Sequence, residues 1–181
     1  MQTAKDRSRN IFLVGPMGAG KTTVGRLLAA ELDLTFKDTD HEIEERTGAN
    51  IPWIFDVEGE EGFRARERVV IEELTRFPGV LLSTGGGSVL LEENRKCLQS
   101  RGTVIFLDTT VELQLERTRK DKNRPLLQIE NPRGALTEMK NARDPLYDEV
   151  ADLKVFAGDS GGRRTVTEIL RRLMDEGYIR D

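Results

Sequence analysis

The hydrophobic positions of the chain alternate between short apolar runs and longer segments with helical spacing. The short runs are predicted to form strands at residues 11–14, 34–40, 79–83, 103–107 and 152–156. The segments between and after them are predicted to be helical, and in the last one apolar residues at 166, 169, 170 and 173 have the spacing of a helix that buries one face. Helices are predicted at residues 21–32, 41–46, 51–77 with a break near Gly59, 90–100, 111–120, 134–143 with Pro145 bending or ending the helix, and around 166–173.

Strands that alternate with helices require right-handed crossovers, which build a parallel sheet covered by helices on both faces. The sequence therefore predicts an α/β protein, a three-layer α/β/α domain with a five-stranded parallel sheet. We expect one domain over residues 1–181, with a flexible N-terminus at about 1–9. Such sheets bind ligands at the carboxyl ends of their strands. The chemistry is thus expected in the loops after Val14, Asp38, Ser83, Asp108 and Phe156.

Composition and charge narrow the class of protein. The 28 basic and 32 acidic residues give a net charge of -4, whereas nucleic-acid-binding proteins usually carry a basic excess, so we expect no nucleic-acid partner. Cys97 is the only cysteine, which excludes an intrachain disulfide and a multi-cysteine metal site. No apolar stretch approaches the length of a membrane span, and no secretory segment is present, so we expect no membrane partner and a cytoplasmic protein.

The loop after the first predicted strand reads Gly-Pro-Met-Gly-Ala-Gly-Lys-Thr, a complete GxxxxGK(S/T) motif at residues 15–22. The backbone N–H groups of such a loop wrap around phosphate oxygens, and the following helix directs its positive end at the same anion. Lys21 adds a positive charge toward the β- and γ-phosphates, and Thr22 offers a hydroxyl to Mg²⁺. The motif predicts binding of a nucleoside triphosphate.

A GTPase is the first alternative to a kinase. Residues 56–59 read Asp-Val-Glu-Gly and match the DxxG pattern of a GTPase switch. They lie inside a predicted helix rather than at the end of a strand, and residues 122–125 do not form a guanine-reading NKxD motif. We therefore favour a kinase.

Two carboxylates follow the second predicted strand at Asp38 and Asp40. Alternation along a strand would place both on one face, close to the phosphate loop, where they could hold the waters of Mg²⁺ and contact a hydroxyl nucleophile. The alternative is an exposed turn in which Asp40 caps the next helix.

Further candidates lie downstream. Arg64 and Glu67 are three residues apart on one helix face, so Glu67 can orient a guanidinium able to bind a substrate carboxylate; a solvated charge pair is the alternative. Three consecutive glycines, Gly85 to Gly87, follow the third strand, where they would bring the backbone close to a ligand. The basic segment 116–124 fits a lid that closes over ATP and excludes water.

These motifs together resemble the shikimate kinases, a family of P-loop kinases similar in fold to the nucleoside-monophosphate kinases. The resemblance rests on GPMGAGKT, DTD, EGEEGFR, TGGGSV, RPLL and RDPLY, in this order, and covers the chain from residue 10 to about 174. It implies ATP and Mg²⁺ as cofactors, shikimate as the small-molecule substrate, substrate-binding helices at about 41–77 and a lid at about 117–134. Residues 158–164, where the family completes its adenine pocket, follow no firm pattern.

The resemblance also implies roles for single residues. Lys21, Asp40 and Arg124 would be catalytic, with Arg124 reaching the phosphates from the lid and Asp40 facing the 3-hydroxyl; Thr22 and Asp38 would serve the metal. The nucleotide-binding residues would be Gly15, Gly18, Ala19, Gly20, Lys21, Thr22, Thr23, Arg117 beside the adenine, and Arg124. The substrate-binding residues would be Asp40, Gly85, Gly86, Gly87, the carboxylate-binding Arg64 and Arg143, and the ring-contacting Trp53 and Phe63.

The expected reaction is transfer of a phosphoryl group from MgATP to the 3-hydroxyl of shikimate by a monomeric enzyme. A gluconate-type or nucleotide kinase of the same fold is one alternative, since gluconate is also a hydroxy-carboxylate. A nucleotide-binding module without transfer chemistry is the other.

Overall fold

The computed structural model describes residues 10–119, 121, 127 and 129–179. The predicted flexible N-terminus and Arg124 lie outside these residues. The strands are β1 (Ile11–Val14), β2 (Thr35–Asp38), β3 (Val80–Ser83), β4 (Thr103–Asp108) and β5 (Leu153–Phe156). The α-helices of the described residues are α1 (Lys21–Glu31), α2 (Thr39–Thr47), α3 (Ile51–Leu74), α4 (Glu92–Arg101), α5 (Val111–Thr118), α6 (Pro132–Val150) and α7 (Gly162–Asp175).

The strands of the described residues form one five-stranded parallel sheet in the order β2-β3-β1-β4-β5. The chain builds outward from β1 to β2, returns through β3, and then crosses to the other side of β1 to form β4. The carboxyl end of β1 therefore lies at the point where the strand order reverses, which is where open α/β sheets bind ligands.

Helices cover both faces of the sheet. On one face, α1 and α7 pack against alternate strand residues such as Leu13, Leu81 and Ile105. On the other face, α2, α3, α4 and α6 pack against the intervening residues, including Phe12 and Phe106. This arrangement confirms the predicted three-layer fold.

The second strand is shorter than predicted, and this changes the relation between Asp38 and Asp40. The strand ends at Asp38, whose carboxylate accepts hydrogen bonds from the backbone N–H groups of Asp40, at 3.0 Å, and His41, at 3.2 Å. Those bonds satisfy donors of the first helical turn, so α2 begins at Thr39. The prediction that the two aspartates share one strand face is wrong: Asp38 is the helix cap, and Asp40 lies in the first turn.

Helix α6 is longer than predicted and passes through Pro145 to Val150. Proline removes one backbone hydrogen bond, but the turn after it is held by Tyr147 and Val150, which are buried in the core. The helix therefore does not end at this proline, and a bend at Pro145 stays a prediction. The helix predicted from residue 90 begins instead as a 3₁₀ turn (Ser88–Leu90) before α4.

The break near Gly59 is confirmed as a local kink within α3, where Gly59 has a φ of 72°. None of the described helices is long and apolar enough to cross a membrane.

Candidate active site

The phosphate loop connects β1 to α1 and is packed tightly against the sheet. A β-carbon on Gly15 would lie 2.2 Å from the carbonyl oxygen of Leu107, so only glycine allows this approach. The Lys21 ammonium group donates to the carbonyl oxygens of Gly15, at 2.7 Å, and Pro16, at 2.9 Å. These bonds hold the ammonium group against its own loop, at the N-terminus of α1, where a phosphate is favoured.

Beside this loop, the Thr22 hydroxyl donates to a carboxylate oxygen of Asp38 at 3.1 Å. Hydroxyl and carboxylate oxygens are ligands that suit Mg²⁺, which keeps several waters and binds few protein groups. Within the described ranges, no group of three or more His, Cys, Asp or Glu side chains could hold a metal. The donor set at Thr22 and Asp38 thus fits a magnesium ion shared with phosphates.

Arg117 of α5 connects the phosphate loop to the loop after β5. Its guanidinium donates to the carbonyl oxygens of Gly18, at 2.9 Å, of Ala157, at 3.4 Å, and of Gly158, at 2.8 Å. It therefore lies between the phosphate loop and the loop after β5, while its place beside the adenine stays a prediction. Thr23 faces the start of α7, with its methyl carbon 3.2 Å from the position that a β-carbon on Gly162 would take.

The sequence prediction missed Gln114, which is buried on α5 and donates to the carbonyl oxygen of Met17 at 2.9 Å. Together with Arg117 it anchors the phosphate loop to one helix. The only available signal was its position three residues before Arg117, on the same helix face.

The triple-glycine loop lies between the phosphate loop and α2. The Gly85 N–H donates to the Thr39 hydroxyl at 3.0 Å, while the backbone and hydroxyl of Thr84 both donate to the Leu13 carbonyl oxygen. A β-carbon on Gly86 would lie 3.4 Å from the backbone nitrogen of Met17. The two glycine-rich loops, which follow β1 and β3, are therefore adjacent.

A buried ion pair lies beneath the triple-glycine loop. Arg64 donates to one carboxylate oxygen of Glu67 at 2.9 Å, and the Ser88 hydroxyl donates to the other at 3.1 Å. Burial raises the pKa of Glu67, and the positive charge of Arg64 opposes that rise. The predicted pair is thus present, and it is buried rather than solvated.

The Arg64 guanidinium packs directly on the loop and on an aromatic ring. A β-carbon on Gly87 would lie only 2.2 Å from Nη2 of Arg64. The central guanidinium carbon lies 5.1 Å from the ring centroid of Phe63, which is itself buried. These contacts fix the plane of the guanidinium.

Arg143 brings a second guanidinium to the same place from α6. It is only 8% exposed, and its Nη1 lies 3.6 Å from the position that a β-carbon on Gly86 would take. Its positive charge acts to lower the pKa of Glu67. Within the residues described, however, no ion pair joins Arg143 to an acidic group. Buried charges are normally paired, so this arginine is suited to an anionic ligand.

Asp40 lies at the edge of this arginine cluster. One of its carboxylate oxygens is 3.1 Å from the position that a β-carbon on Gly85 would take, and a Glu67 oxygen is 2.8 Å from the same position. The structure therefore brings Asp40, Arg64 and Arg143 close to the same glycine loop, with Asp40 next to Gly85 and the arginines next to Gly86 and Gly87. Trp53, in the first turn of α3, is 54% exposed, and its contact with a substrate ring stays a prediction.

A family model decides what this site resembles. The model described as shikimate kinase matches residues 17–174. The chain belongs to the shikimate kinase family. It is 56% identical to a shikimate kinase of Vibrio parahaemolyticus over 165 residues, which cover 91% of this chain and 96% of that protein. It is also 57% identical over 162 residues to a shikimate kinase of Actinobacillus pleuropneumoniae, covering 90% of this chain and 94% of that protein.

Solved structures of shikimate kinases share the fold closely. The enzyme of Acinetobacter baumannii in complex with shikimate gives a TM-score of 0.92 at 52% identity, covering 95% of this chain and 96% of that one. The shikimate kinase of Aquifex aeolicus gives a TM-score of 0.80 at 38% identity, covering 93% of this chain and 98% of that one.

Membership in the shikimate kinase family makes the protein a phosphotransferase that uses ATP and Mg²⁺ and acts on a hydroxyl of shikimate. The match separates the chain from the gluconate-type and nucleotide kinases that the predicted fold alone had left open. It also confirms a P-loop kinase rather than a GTPase or a nucleotide-binding module without chemistry.

Proposed function

We propose that the described residues carry out the family's reaction on two adjoining surfaces. The phosphate loop and Arg117 hold the nucleotide, while Asp40, Arg64 and Arg143 hold the acceptor, shikimate, with its 3-hydroxyl toward the γ-phosphate. One observation carries this division: the buried Arg143 has no ion-pair partner within the described part of the chain and lies next to the phosphate loop. A carboxylate-bearing acceptor supplies the missing charge.

On the nucleotide surface, Lys21 neutralises charge that builds up on the phosphates, and Gly15, Gly18, Ala19 and Gly20 present the loop backbone to them. Thr22 and Asp38 would hold Mg²⁺, which neutralises the phosphate oxygens when it is bound. Arg117 closes the base side of the same surface through its three carbonyl contacts.

On the acceptor surface, Arg64 and Arg143 bind the carboxylate of shikimate from two helices. A charge-assisted hydrogen bond of this kind contributes about 1.5–3 kcal/mol. Because Glu67 and Gly87 fix the plane of Arg64, little side-chain freedom is lost on binding. Phe63 closes the site behind the guanidinium.

Asp40 serves the attacking hydroxyl. The hydroxyl oxygen bonds to the γ-phosphorus as the bond to the bridging oxygen of ADP breaks, and the hydroxyl proton passes to the Asp40 carboxylate. The transition state of such transfers is loose, so the proton leaves late and an ordinary carboxylate suffices to align the hydroxyl and accept it.

Arg124 lies outside the described residues. We propose, from its place before Pro-Leu-Leu in the sequence, that it reaches the phosphates from a lid at about residues 117–134 and stabilises charge in the transition state. We also propose that the enzyme is a cytoplasmic monomer that binds no nucleic acid.

The test is ADP release measured in parallel with shikimate, gluconate and nucleoside monophosphates as acceptors. We expect release with shikimate alone, and loss of release when Lys21→Ala replaces the wild-type chain. Release that is equal with gluconate or a nucleoside monophosphate, or that does not depend on an acceptor, would overturn the proposal.

A further inference from the structure

The hydroxyl of Tyr147 lies close to Gly86 and Arg143, two residues predicted to bind the acceptor. Tyr147 is 1% exposed, and its hydroxyl donates a hydrogen bond to the carbonyl oxygen of Gly86. It follows Arg143 by four residues, so both side chains lie on the same face of α6. This helix face therefore contacts the glycine loop through a hydroxyl and a guanidinium side by side.

The positive charge of Arg143 also affects the pKa of the Tyr147 hydroxyl. Burial raises the pKa of Tyr147, and the charge and side-chain hydrogen bonding of Arg143 oppose that rise. The hydroxyl therefore stays protonated and remains a donor to Gly86. Its oxygen keeps lone pairs that face positive charge favourably, and Arg143 Nη1 lies 3.6 Å from the position that a β-carbon on Gly86 would take, so both groups meet at the same glycine.

The bond to Gly86 has a second effect through the geometry of the peptide unit. The Gly86 carbonyl and the Gly87 N–H belong to one planar trans peptide, so they point in opposite directions. A carbonyl drawn toward Tyr147 directs the Gly87 N–H away from α6. Gly87 packs against the Arg64 guanidinium. The hydrogen bond from Tyr147 therefore also influences the orientation of the peptide group that contacts Arg64.

Packing alone does not require the hydroxyl. The tyrosine ring lies 5.0 Å from the ring of Phe106, centroid to centroid, within the core. A phenylalanine would keep that contact and would lose the hydrogen bond to Gly86 and the electrostatic interaction of the hydroxyl with Arg143. The structure thus separates the role of the ring, which fills the core, from the role of the hydroxyl.

We infer that Tyr147 is a positioning residue for the acceptor: its hydroxyl holds Arg143 and the Gly86 carbonyl in one arrangement, so that the acceptor carboxylate meets an oriented guanidinium. This inference rests on the proposed function, since it assigns the effect to shikimate binding. It predicts a loss that is specific to the acceptor and that acts chiefly through Arg143.

The experiment compares Tyr147→Phe with Tyr178→Phe, which removes the hydroxyl of the chain's other tyrosine, three residues after the end of α7. We expect Tyr147→Phe to raise the KM for shikimate about threefold to tenfold, the size of one lost hydrogen bond. The KM for ATP should change less than twofold, and Tyr178→Phe should leave both values unchanged. Tyr147→Met, which removes the ring contact with Phe106 as well as the hydroxyl, is the second variant and should show the same rise in the KM for shikimate together with a lower Tm.

A double-mutant cycle then tests the route. In an Arg143→Ala background, Tyr147→Phe should add less than a twofold further loss, because the guanidinium that it positions is gone. Full additivity, or a Tyr147→Phe variant with unchanged shikimate KM, would overturn this inference and leave the proposed function standing. A wild-type chain that releases no ADP with shikimate would instead overturn the proposed function, and this inference with it.

Discussion

Arg64 and Glu67 form an ion pair of 2.9 Å in which the carboxylate is completely buried while the guanidinium side chain stays 12% exposed. Both carboxylate oxygens of Glu67 accept hydrogen bonds, one from Arg64 and one from Ser88. The Arg64 guanidinium, held in this way, faces the glycine loop. Burying a carboxylate costs stability even when it is paired. We interpret the pair as a feature kept for orientation of Arg64 rather than for stability.

The first prediction concerns that cost and its pH dependence. Because burial raises the pKa of Glu67, the unfolded chain releases this proton first as the pH rises above the ordinary value of 4.5. The contribution of Glu67 to stability is therefore full below that pH and falls above it. Glu67→Gln removes this fall, so the Tm of the variant minus that of the wild type should become more positive as the pH rises from 4.5 to neutrality.

Thermal melts across this range provide the measurement, with Glu60→Gln as the matched control. Glu60 contacts the same guanidinium at 3.3 Å but is 49% exposed, so Glu60→Gln removes a charge partner of Arg64 and leaves the buried carboxylate in place. If the Tm difference between Glu67→Gln and the wild type stayed flat or fell as the pH rises, burial would not disfavour the charged form of Glu67, and the prediction would be wrong.

The second prediction concerns the carboxylate that serves the hydroxyl. Asp40→Asn keeps the shape of the side chain but cannot accept the proton, so kcat should fall by about 10²–10⁴ while the KM for ATP changes little. Steady-state kinetics with both substrates measure the two effects. Asp56→Asn, at an exposed acidic residue of α3, is the control and should leave kcat unchanged. Near wild-type turnover of Asp40→Asn would remove Asp40 from the mechanism.

Much of the fold and part of the site could be predicted because their causes are local. The phosphate loop is one example, because its glycines, Lys21 and Thr22 lie within eight consecutive residues and form a motif that can be recognised directly in the sequence. The pair of Arg64 and Glu67 is another, since three residues along a helix bring them together. The strand and helix order followed from periodicity alone.

The predictions that were wrong concern places where the end of a strand or helix is set by the next element or by packing with residues far away in the chain. Asp38 ends its strand because its carboxylate caps a helix, which alternation cannot reveal. The passage of α6 through Pro145 depends on the burial of Tyr147. Tyr147 itself was missed because its partner, Gly86, lies 61 residues earlier in the chain, and no spacing rule joins the two.

The third prediction uses the close contact between Gly87 and Arg64. A methyl group at Gly87 would lie 2.2 Å from Nη2 of Arg64, so the guanidinium must move. Gly87→Ala should raise the KM for shikimate at least tenfold and leave the KM for ATP unchanged. Gly177→Ala, at a left-handed glycine with no atom near its β-carbon position, is the control: it should lower the Tm without changing either KM. An unchanged shikimate KM in Gly87→Ala would contradict the role of Arg64.

The fourth prediction concerns the nucleotide side. Arg117→Ala removes three contacts to backbone carbonyl groups of the phosphate loop and of the loop after β5, so the KM for ATP should rise at least fivefold. The KM for shikimate should stay within twofold of the wild type. Arg117→Lys should not restore ATP binding, because an ammonium group cannot reach separate carbonyl groups as a planar fork does. Restoration by lysine would mean that charge alone matters at this position.

The last prediction separates binding from stability at Arg143. This buried arginine has no ion pair to the acidic residues that the structure describes, so its charge should be costly in the empty enzyme and useful only with an anionic acceptor. Arg143→Met should therefore leave the Tm of the free enzyme unchanged or higher. A ligand at a hundred times its Kd stabilises a protein by about 2.7 kcal/mol, and the loss of about 1.5–3 kcal/mol of binding energy would remove about half to nine-tenths of that gain. The rise in Tm on adding shikimate should thus fall to about half or less in Arg143→Met. It should persist in Arg133→Met, which removes an exposed arginine of the same helix that pairs with Glu112 at 2.7 Å. Thermal melts with and without shikimate measure both quantities, and a full shikimate-induced shift in Arg143→Met would contradict the assignment of Arg143 to the carboxylate.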